Sequence, residues 1–381
     1  MAALALMAAC GPVSDWGEPG VGEDPLAWQD ARRDGLGGAE LAVLVSPWEP
    51  KWGHPGRLGL VGPDGAVRFV DLDMNPGVEV GGGHGVVCGE TADEPLVIDD
   101  RGARTGTASG AIGFGSGTRV REDGSCVRFG SDVVGWEQSG RSMRADLPVL
   151  VDATGVSPGA AWALGTDDPA SDAPRIRLLR VDLATGRTTP AGAWPSVERR
   201  EPDGRRVGAD HSPTELFWHR DRLHHLVQLG AMSDEGESVE IRPGVRGELH
   251  LVSIDPRTGR RESTDLLDTP GADLVWGPSR GHLHDDSIFT IDRHDRILAV
   301  DVAERSLRVV GRLSDHTRGA EDVAVAWDGS TLTLLLRDGA ERVTREDYDL
   351  TTGELVRSRR LSGFAGVLGS DTHLASVVVT G

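Results

Sequence analysis

A seven-residue phrase recurs from residue 181 onward: VDLATGR at Val181–Arg187, IDPRTGR at Ile254–Arg260 and YDLTTGE at Tyr348–Glu354. A degenerate copy, VDVAERS, occupies Val300–Ser306. The leading Asp can accept hydrogen bonds from backbone N–H groups two residues on, and the Gly supplies the positive φ that a reversing chain needs. Each copy follows an apolar run rich in residues that suit β-strands, so the phrase predicts a turn between paired strands.

The spacing of the phrase indicates the architecture. The Asp residues of successive copies lie 73, 46 and 48 residues apart. Strand-built repeats with a period of about 40–50 residues are typical of propeller blades. The longest interval contains a polar stretch, Ser233–Gly247, which we expect to be a loop inserted in one blade.

The phrase resembles the turn of bacterial propeller repeats of the quinoprotein-like, YVTN-like and WD-repeat-like kinds. This resemblance implies an all-β fold, a β-propeller of four-stranded antiparallel blades, in a single domain over residues 39–381. The Trp-Asp dipeptide that ends WD blades is absent from the copies, and the aromatic docking motif of quinoprotein repeats is not evident. The missing aromatic motif is a departure from the quinoprotein pattern and argues against a quinone cofactor. Propellers as a class serve unrelated functions, so the resemblance indicates the fold and not an activity.

The number of blades follows from the strand-like runs. Blades are expected to begin near residues 85, 119, 160, 215, 287 and 322. A C-terminal pair, Phe364–Leu368 with Leu374–Val379, is expected to join the N-terminal strands in residues 41–72 as one more blade. Such closure leaves no free sheet edge. We therefore expect seven blades, with six and eight as alternatives.

The charge balance bounds the partners. The chain has 60 acidic and 40 basic residues, which gives a formal net charge of −20. This charge repels nucleic acid and anionic membrane surfaces, so neither is an expected docking partner. No stretch of about 18 apolar residues occurs, so the sequence predicts no membrane-spanning helix.

The first ten residues, MAALALMAAC, resemble a bacterial lipobox in which Met7, Ala8 and Ala9 precede Cys10. The resemblance implies that Cys10 is lipidated and becomes the mature N-terminus. The basic opening of a signal peptide is missing and the apolar run is short, so residues 1–10 are interpreted as a truncated signal with an upstream start. Residues 11–38 are rich in Gly, Pro, Asp and Glu and predict a flexible tether. These segments predict an extracytoplasmic, lipid-anchored protein; the alternative is an ordinary cytosolic start with a chance cysteine.

Two cysteines remain after Cys10. In an exported protein, the pair Cys88 and Cys126 favours a disulfide between neighbouring blades. The alternative is two separate buried thiols.

The densest group of candidate site residues is His282-Leu283-His284-Asp285-Asp286. Side chains alternate along an extended chain, so His282, His284 and Asp286 would share one face. Two imidazoles and one carboxylate could form half of a metal site, and a divalent metal is the one cofactor that the sequence suggests. We expect Ser287–Ile291 to be the innermost strand of its blade, which would aim the group at the central channel. The alternative is a polar loop.

Aromatic residues offer a second kind of site. The ten tryptophans could line a glycan-binding face or pack between blades, and they include Trp48, Trp52, Trp136, Trp218, Trp276 and Trp327. Another feature is the neighbouring pair His224 and His225, of which at least one is expected to face solvent by strand alternation.

No nucleophile elbow, metalloprotease motif or Cys-His pair of known spacing occurs. The sequence therefore favours a monomeric binding or scaffold protein that captures a protein, peptide or glycan ligand. The alternative is an extracytoplasmic enzyme, a metal-assisted hydrolase or lyase, with His282, His284 and Asp286 in its site.

Overall fold

The computed structural model describes residues 28–48, 55–76, 79–91, 94–106, 112, 115–138, 141–167, 175–195, 198–200, 206–210, 214–232, 239–240, 248–266, 281–339 and 342–381. These residues form a seven-bladed β-propeller of mainly four-stranded antiparallel blades, which confirms the predicted fold class and the expected number of blades.

Blades 1 to 3 are built mainly from the first third of the chain, and their strands are given from the innermost outward. Blade 1 contains β32 (Thr372–Val379), β2 (Leu41–Pro47), β3 (Arg57–Val61) and β4 (Val67–Val70), with β1 (Trp28–Gln29) parallel to β4. Blade 2 contains β5 (Gly81–Gly83), β6 (Val86–Glu90), β7 (Pro95–Asp99) and β8 (Gly102–Thr105). Blade 3 contains β9 (Gly115–Val120), β10 (Cys126–Gly130), β11 (Val133–Gln138) and β12 (Arg141–Asp146).

Blades 4 to 7 have the same internal order. Blade 4 contains β13 (Leu150–Ser157), β14 (Ala160–Thr166), β15 (Arg175–Asp182) and β16 (Thr188–Pro195). Blade 5 contains β19 (Phe217–His219), β20 (Arg222–Met232), β22 (Glu248–Asp255) and β23 (Arg260–Asp265), and β17 (Glu198–Arg200), β18 (Arg206–Asp210) and β21 (Val239–Glu240) extend it beside β20. Blade 6 contains β24 (His282–His284), β25 (Ser287–Ile291), β26 (Arg296–Asp301) and β27 (Ser306–Arg312). Blade 7 contains β28 (Asp322–Asp328), β29 (Thr331–Arg337), β30 (Val343–Asp349) and β31 (Leu355–Leu361).

The ring closes within blade 1, where the C-terminal β32 pairs with β2 from Leu41↔Val379 to Pro47↔Thr372. One C-terminal strand takes part rather than the expected pair, because the chain from Phe364 to Leu368 forms turns. Phe364 is 1% exposed and packs edge-on against Phe69, so its apolar character serves the core without a strand.

Seven apolar clusters hold the blades together, one at each junction between neighbours in the described part of the chain. Burying one large aliphatic side chain contributes about 1.5–3 kcal/mol. The cluster at the junction of blades 7 and 1 contains fifteen buried apolar residues, whereas that of blades 2 and 3 contains only Val86, Cys88, Val97 and Cys126.

A disulfide joins Cys88 to Cys126 and crosses the junction with the smallest apolar cluster, which confirms the predicted pairing. This junction is also polar. Arg128 is fully buried, and burial lowers its pKa while the carboxylates of Glu90 and Glu137 oppose that shift. Among the described residues, the covalent link therefore lies at the junction with the fewest buried apolar side chains.

The recurring phrase forms the predicted turns between the third and fourth strands of blades. In the last copy, Asp349 Oδ1 accepts the N–H of Thr351 at 2.7 Å and of Thr352 at 3.0 Å, and Gly353 has φ of 74°. Asp182 and Asp255 accept equivalent hydrogen bonds. These turns, with those joining first and second strands, emerge at one end of the ring, which we call the turn face. The opposite end, where blades connect to one another, we call the connection face.

Part of the predicted tether packs on the domain. β1 lies beside β4, and the short helix α1 (Ala31–Asp34) contacts β8, with Ala31 and Leu36 buried at the junction of blades 1 and 2. The tether prediction was therefore wrong for residues 28–38, because these apolar side chains find a place in that cluster. Residues 1–27, with the predicted lipobox at Cys10, lie outside the described residues.

The second helix, α2 (Asp315–Gly319), connects blades 6 and 7 and is capped by Ser314, whose hydroxyl accepts the N–H of His316. Neither described helix has the length and apolar character needed to cross a membrane.

We expect Gly353→Ala to destabilise the fold more than Gly339→Ala. Both glycines have positive φ, which costs an L-residue about 1–2 kcal/mol. At Gly353 an added Cβ would also collide with the backbone oxygen of Val310, whereas at Gly339 the nearest atom is Arg342 Nη2 at 3.6 Å. Urea unfolding of both variants measures the two free energies of unfolding. Equal losses would show that the close approach of Gly353 to Val310 adds nothing to the cost.

Candidate functional site

The predicted group at residues 282–286 lies on the turn face of blade 6. His282–His284 forms β24, which is the innermost strand, and Ser287–Ile291 forms the second strand. The prediction that Ser287–Ile291 is innermost was therefore wrong. A three-residue strand containing two histidines carries too little apolar pattern to be recognised in sequence.

His282 and His284 share a face, as alternation predicts, with parallel rings whose centroids lie 6.3 Å apart. His282 also stacks on Trp327 of blade 7 at 6.1 Å. Its Nε2 lies 3.0 Å from Gly329 O, and because a carbonyl can only accept, Nε2 is the donor. Burial lowers the pKa of His282, which favours this neutral imidazole.

Asp286 is held by blade 5 rather than by the two imidazoles. Its Oδ1 lies 2.7 Å from His219 Nε2, and its Oδ2 accepts a hydrogen bond from Arg220 Nη2 at 2.7 Å. Within the described residues, no three His, Cys, Asp or Glu side chains are placed to hold a metal ion together. A divalent metal at His282, His284 and Asp286 stays a prediction, and it would require Asp286 to leave both partners.

His219 and Arg220, the two partners of Asp286, line a pocket between blades 5 and 6 with a volume of about 220 Å³. Its lining combines guanidinium, imidazole and hydroxyl groups with a small apolar wall: His219, Arg220, Arg222, His224, Ser253, Val302, Ala303 and Arg305. Sequence reasoning did not identify this pocket, because its residues come from separate segments that meet only when blades 5 and 6 pack.

His224 and His225 are both buried, at 4% and 1% exposure, so the expectation that one faces solvent was wrong. Both faces of β20 are covered, because neighbouring blades pack on each side of every blade. His224 Nδ1 lies 2.8 Å from Ser253 Oγ. Burial is the main reason that the pKa of His224 falls from 6.5 to about 4.

A second group of polar and aromatic residues lies on the connection face where blades 7 and 1 meet. Trp48 follows β2, is 54% exposed, and stacks on His373 with ring centroids 4.4 Å apart. Asp322 accepts the N–H of Leu374, and burial raises the pKa of its carboxyl group. Burial likewise lowers the pKa of His373, opposed by the nearby Asp322 carboxylate.

The guanidinium of Arg337 holds the loop before β32, which leads to His373. It donates to the carbonyl oxygens of Gly339, Gly369 and Thr372. Its three backbone partners belong to blades 7 and 1, so these hydrogen bonds join the two blades next to His373. The indole of Trp48 stacks on this held imidazole. Of the other tryptophans named from the sequence, Trp136, Trp218 and Trp327 pack between blades, and Trp52 and Trp276 lie outside the described residues.

No family model and no curated protein match the chain. Among solved structures, it is similar to BamB from Moraxella catarrhalis at 12% identity, with 84% of this chain and 87% of that chain covered and a TM-score of 0.42. It is also similar to apo AztD from Citrobacter koseri, at 10% identity, 89% and 98% coverage and a TM-score of 0.42. The corresponding values for streptogramin B lyase are 10%, 77%, 84% and 0.41.

These neighbours are bacterial propeller proteins, and likeness at this level concerns the architecture alone. The strand order itself defines the class: this chain is a seven-bladed β-propeller protein. Ligand and activity have to be argued from its own residues.

We expect the free energy of unfolding to fall as pH decreases from 6.5 towards 4, through His224. The unfolded chain binds a proton near pH 6.5, whereas folded His224 binds one only near pH 4. Its contribution is therefore fully present above pH 6.5 and is lost in this window, by up to about 3 kcal/mol. His224→Gln should flatten the pH dependence measured by urea unfolding.

The matched control is His294→Gln, since His294 is exposed on another turn of blade 6. This variant should keep the wild-type pH dependence. An unchanged slope in His224→Gln would show that other groups cause the acid sensitivity.

Proposed function

We propose that this propeller is an extracytoplasmic binding protein whose connection face captures a protein, peptide or glycan ligand through Trp48. The main support for this proposal is the half-exposed indole of Trp48, which stacks on His373 at the connection face. Large exposed aromatic side chains are frequent binding anchors because they bury much area at little cost in conformational entropy.

The surroundings of Trp48 favour a ligand that combines apolar and polar groups. The indole offers a flat apolar face, the imidazole of His373 stacks against it, and the carboxyl group of Asp322 lies near His373. Sugar rings and aromatic or proline-containing peptides match this combination, since each presents an apolar face beside hydrogen-bonding groups. Because the indole is rigid and already held by His373, little conformational entropy is lost when a ligand binds to it.

The proposed location rests on the disulfide between Cys88 and Cys126. Structural disulfides form and persist in oxidising compartments and are rare in the bacterial cytosol. We further propose that Cys10 carries a lipid anchor, and that residues 11–27 tether a monomeric propeller to the membrane surface.

We expect Trp48→Ala to abolish or weaken at least tenfold the binding of ligands selected from a glycan array and a displayed peptide library. Loss of a central aromatic anchor typically costs about 2 kcal/mol or more. Val356→Ala is the control, because Val356 is 61% exposed on the outer strand β31 of blade 7. Ligands that bind both variants as tightly as the wild type would exclude Trp48 as the anchor.

The proposed location is tested by expressing the chain behind an extended gene start in a bacterial host. We expect intact mass to show a lipid on Cys10 and the protein to partition with membranes, and Cys10→Ala to release it. Alkylation of intact cells should find Cys88 and Cys126 oxidised in both forms. A soluble protein with reduced cysteines and an unmodified N-terminus would contradict both the anchor and the location.

A further inference from the structure

The pocket on the turn face between blades 5 and 6 has features that the binding role of the opposite face does not use. Three arginines line it: Arg220 in a turn of blade 5, Arg222 at the start of β20, and Arg305 in a turn of blade 6. Three guanidinium groups therefore lie around a space of about 220 Å³ in a chain whose formal net charge is −20.

Two of these arginines occupy backbone positions that favour glycine. Arg305 has φ of 53° and Arg220 has φ of 49°. In the copies of the repeated phrase that keep its Gly, the position of Arg305 is taken by Gly186, Gly259 and Gly353. An L-residue is strained in this left-handed region, and such strain is concentrated at functional sites. The turns therefore carry arginine at a local energetic cost, and both arginines line the same pocket.

The carboxylates that pair with the pocket arginines only partly balance their positive charge. Asp286 pairs with Arg220 and His219. Glu262 pairs with Arg305 at 2.6 Å, Arg260 at 3.3 Å and Arg222 at 3.6 Å, and these cations lower its pKa. Asp286 and Glu262 thus pair with the three pocket arginines and with His219, while Arg260 lies outside the pocket lining and Asp255 also interacts electrostatically with Arg222.

Arg222 supplies an unsatisfied donor edge. Its Nε and Nη2 are buried and have no hydrogen-bond partner among the described residues. The distance of 3.6 Å from Nη2 to Glu262 gives an ion pair without a hydrogen bond. A buried donor that lacks an acceptor is destabilising. The Arg222 side chain lines the pocket and is 32% exposed, so a rotation of its guanidinium would bring these donors to an anion bound there.

We propose that this pocket binds a phosphate group, either as inorganic phosphate or as a phosphomonoester. Arg220 and Arg222 come from the β19–β20 turn of blade 5 and Arg305 from blade 6, and a tetrahedral anion can accept hydrogen bonds from several directions at once. A planar carboxylate is satisfied by one bidentate arginine and would leave the others unpaired. Val302 and Ala303 form the apolar wall, which excludes water from one side of the site.

The test is isothermal titration of the full chain at low salt with inorganic phosphate, glycerol phosphate and acetate, against chloride at equal ionic strength. We expect one phosphate site per chain, with acetate binding at least tenfold more weakly. Tighter binding of glycerol phosphate than of inorganic phosphate identifies a phosphomonoester as the ligand, and the reverse identifies free phosphate. Both results support the site.

The decisive variant is Arg305→Gly, which restores the glycine of the repeated turn. It should weaken phosphate binding at least tenfold while its unfolding midpoint without phosphate stays at or above that of the wild type. Arg220→Gly is a second variant of the same design. Arg308→Ala removes the same charge from an exposed site on β27 and should leave binding within twofold.

The proposal is overturned if the wild type binds no phosphate probe at millimolar concentrations, if acetate binds as tightly as phosphate, or if both glycine variants bind like the wild type. Trp48→Ala should leave phosphate binding unchanged because Trp48 lies on the connection face. Failure of the binding role proposed for that face would therefore be distinguishable from failure of the phosphate site.

Discussion

The pairing of β2 with β32 turns a row of seven sheets into a ring, and the rest of the structure depends on it. The two strands match from Leu41↔Val379 to Pro47↔Thr372, with one irregularity between Leu44 and Val45. Further contacts support the pair, since Thr380 N donates to Glu40 O at 3.1 Å and Glu40 Oε2 accepts from Arg345 of blade 7 at 2.6 Å. Closure gives every blade two neighbours, so both faces of the inner strands are covered while outer strands such as β31 stay largely exposed.

This constraint explains why polar residues inside strands are also buried. His224 and His225 point to opposite faces of one strand, and both are covered by a neighbouring blade. Where apolar packing between blades is sparse, another interaction takes its place: the disulfide crosses the junction of blades 2 and 3 beside the buried Arg128. Opening a single junction would expose the apolar faces of two blades to water, so each junction has to be stable by itself.

The two ends of the ring differ in chemistry. The connection face presents the braced indole of Trp48, whereas the turn face of blades 5 and 6 presents arginines in left-handed turns. Turn positions of this kind usually carry Gly for conformational reasons. Arg305 stands where the other turns have Gly. It therefore places a positive charge at the pocket and destabilises the local backbone.

The sequence by itself predicted the fold class and the turn chemistry at Asp182, Asp255 and Asp349, and it favoured seven blades over six or eight and a Cys88–Cys126 disulfide over two separate thiols. These features are local or follow from counting, because strand periodicity and turn hydrogen bonds involve residues close along the chain. The shared face of His282 and His284 was predictable for the same reason.

Only the tertiary structure decided which strand of blade 6 is innermost, that Asp286 faces Arg220, and that Arg305 reaches Glu262. Asp286 and Arg220 are 66 residues apart, and Arg305 and Glu262 are 43 residues apart. Each pair crosses the junction of blades 5 and 6. Alternation along a strand says which side chains share a face, but it carries no information on what the next blade places opposite them. The pocket exists only because two independently patterned blades, 5 and 6, pack against each other.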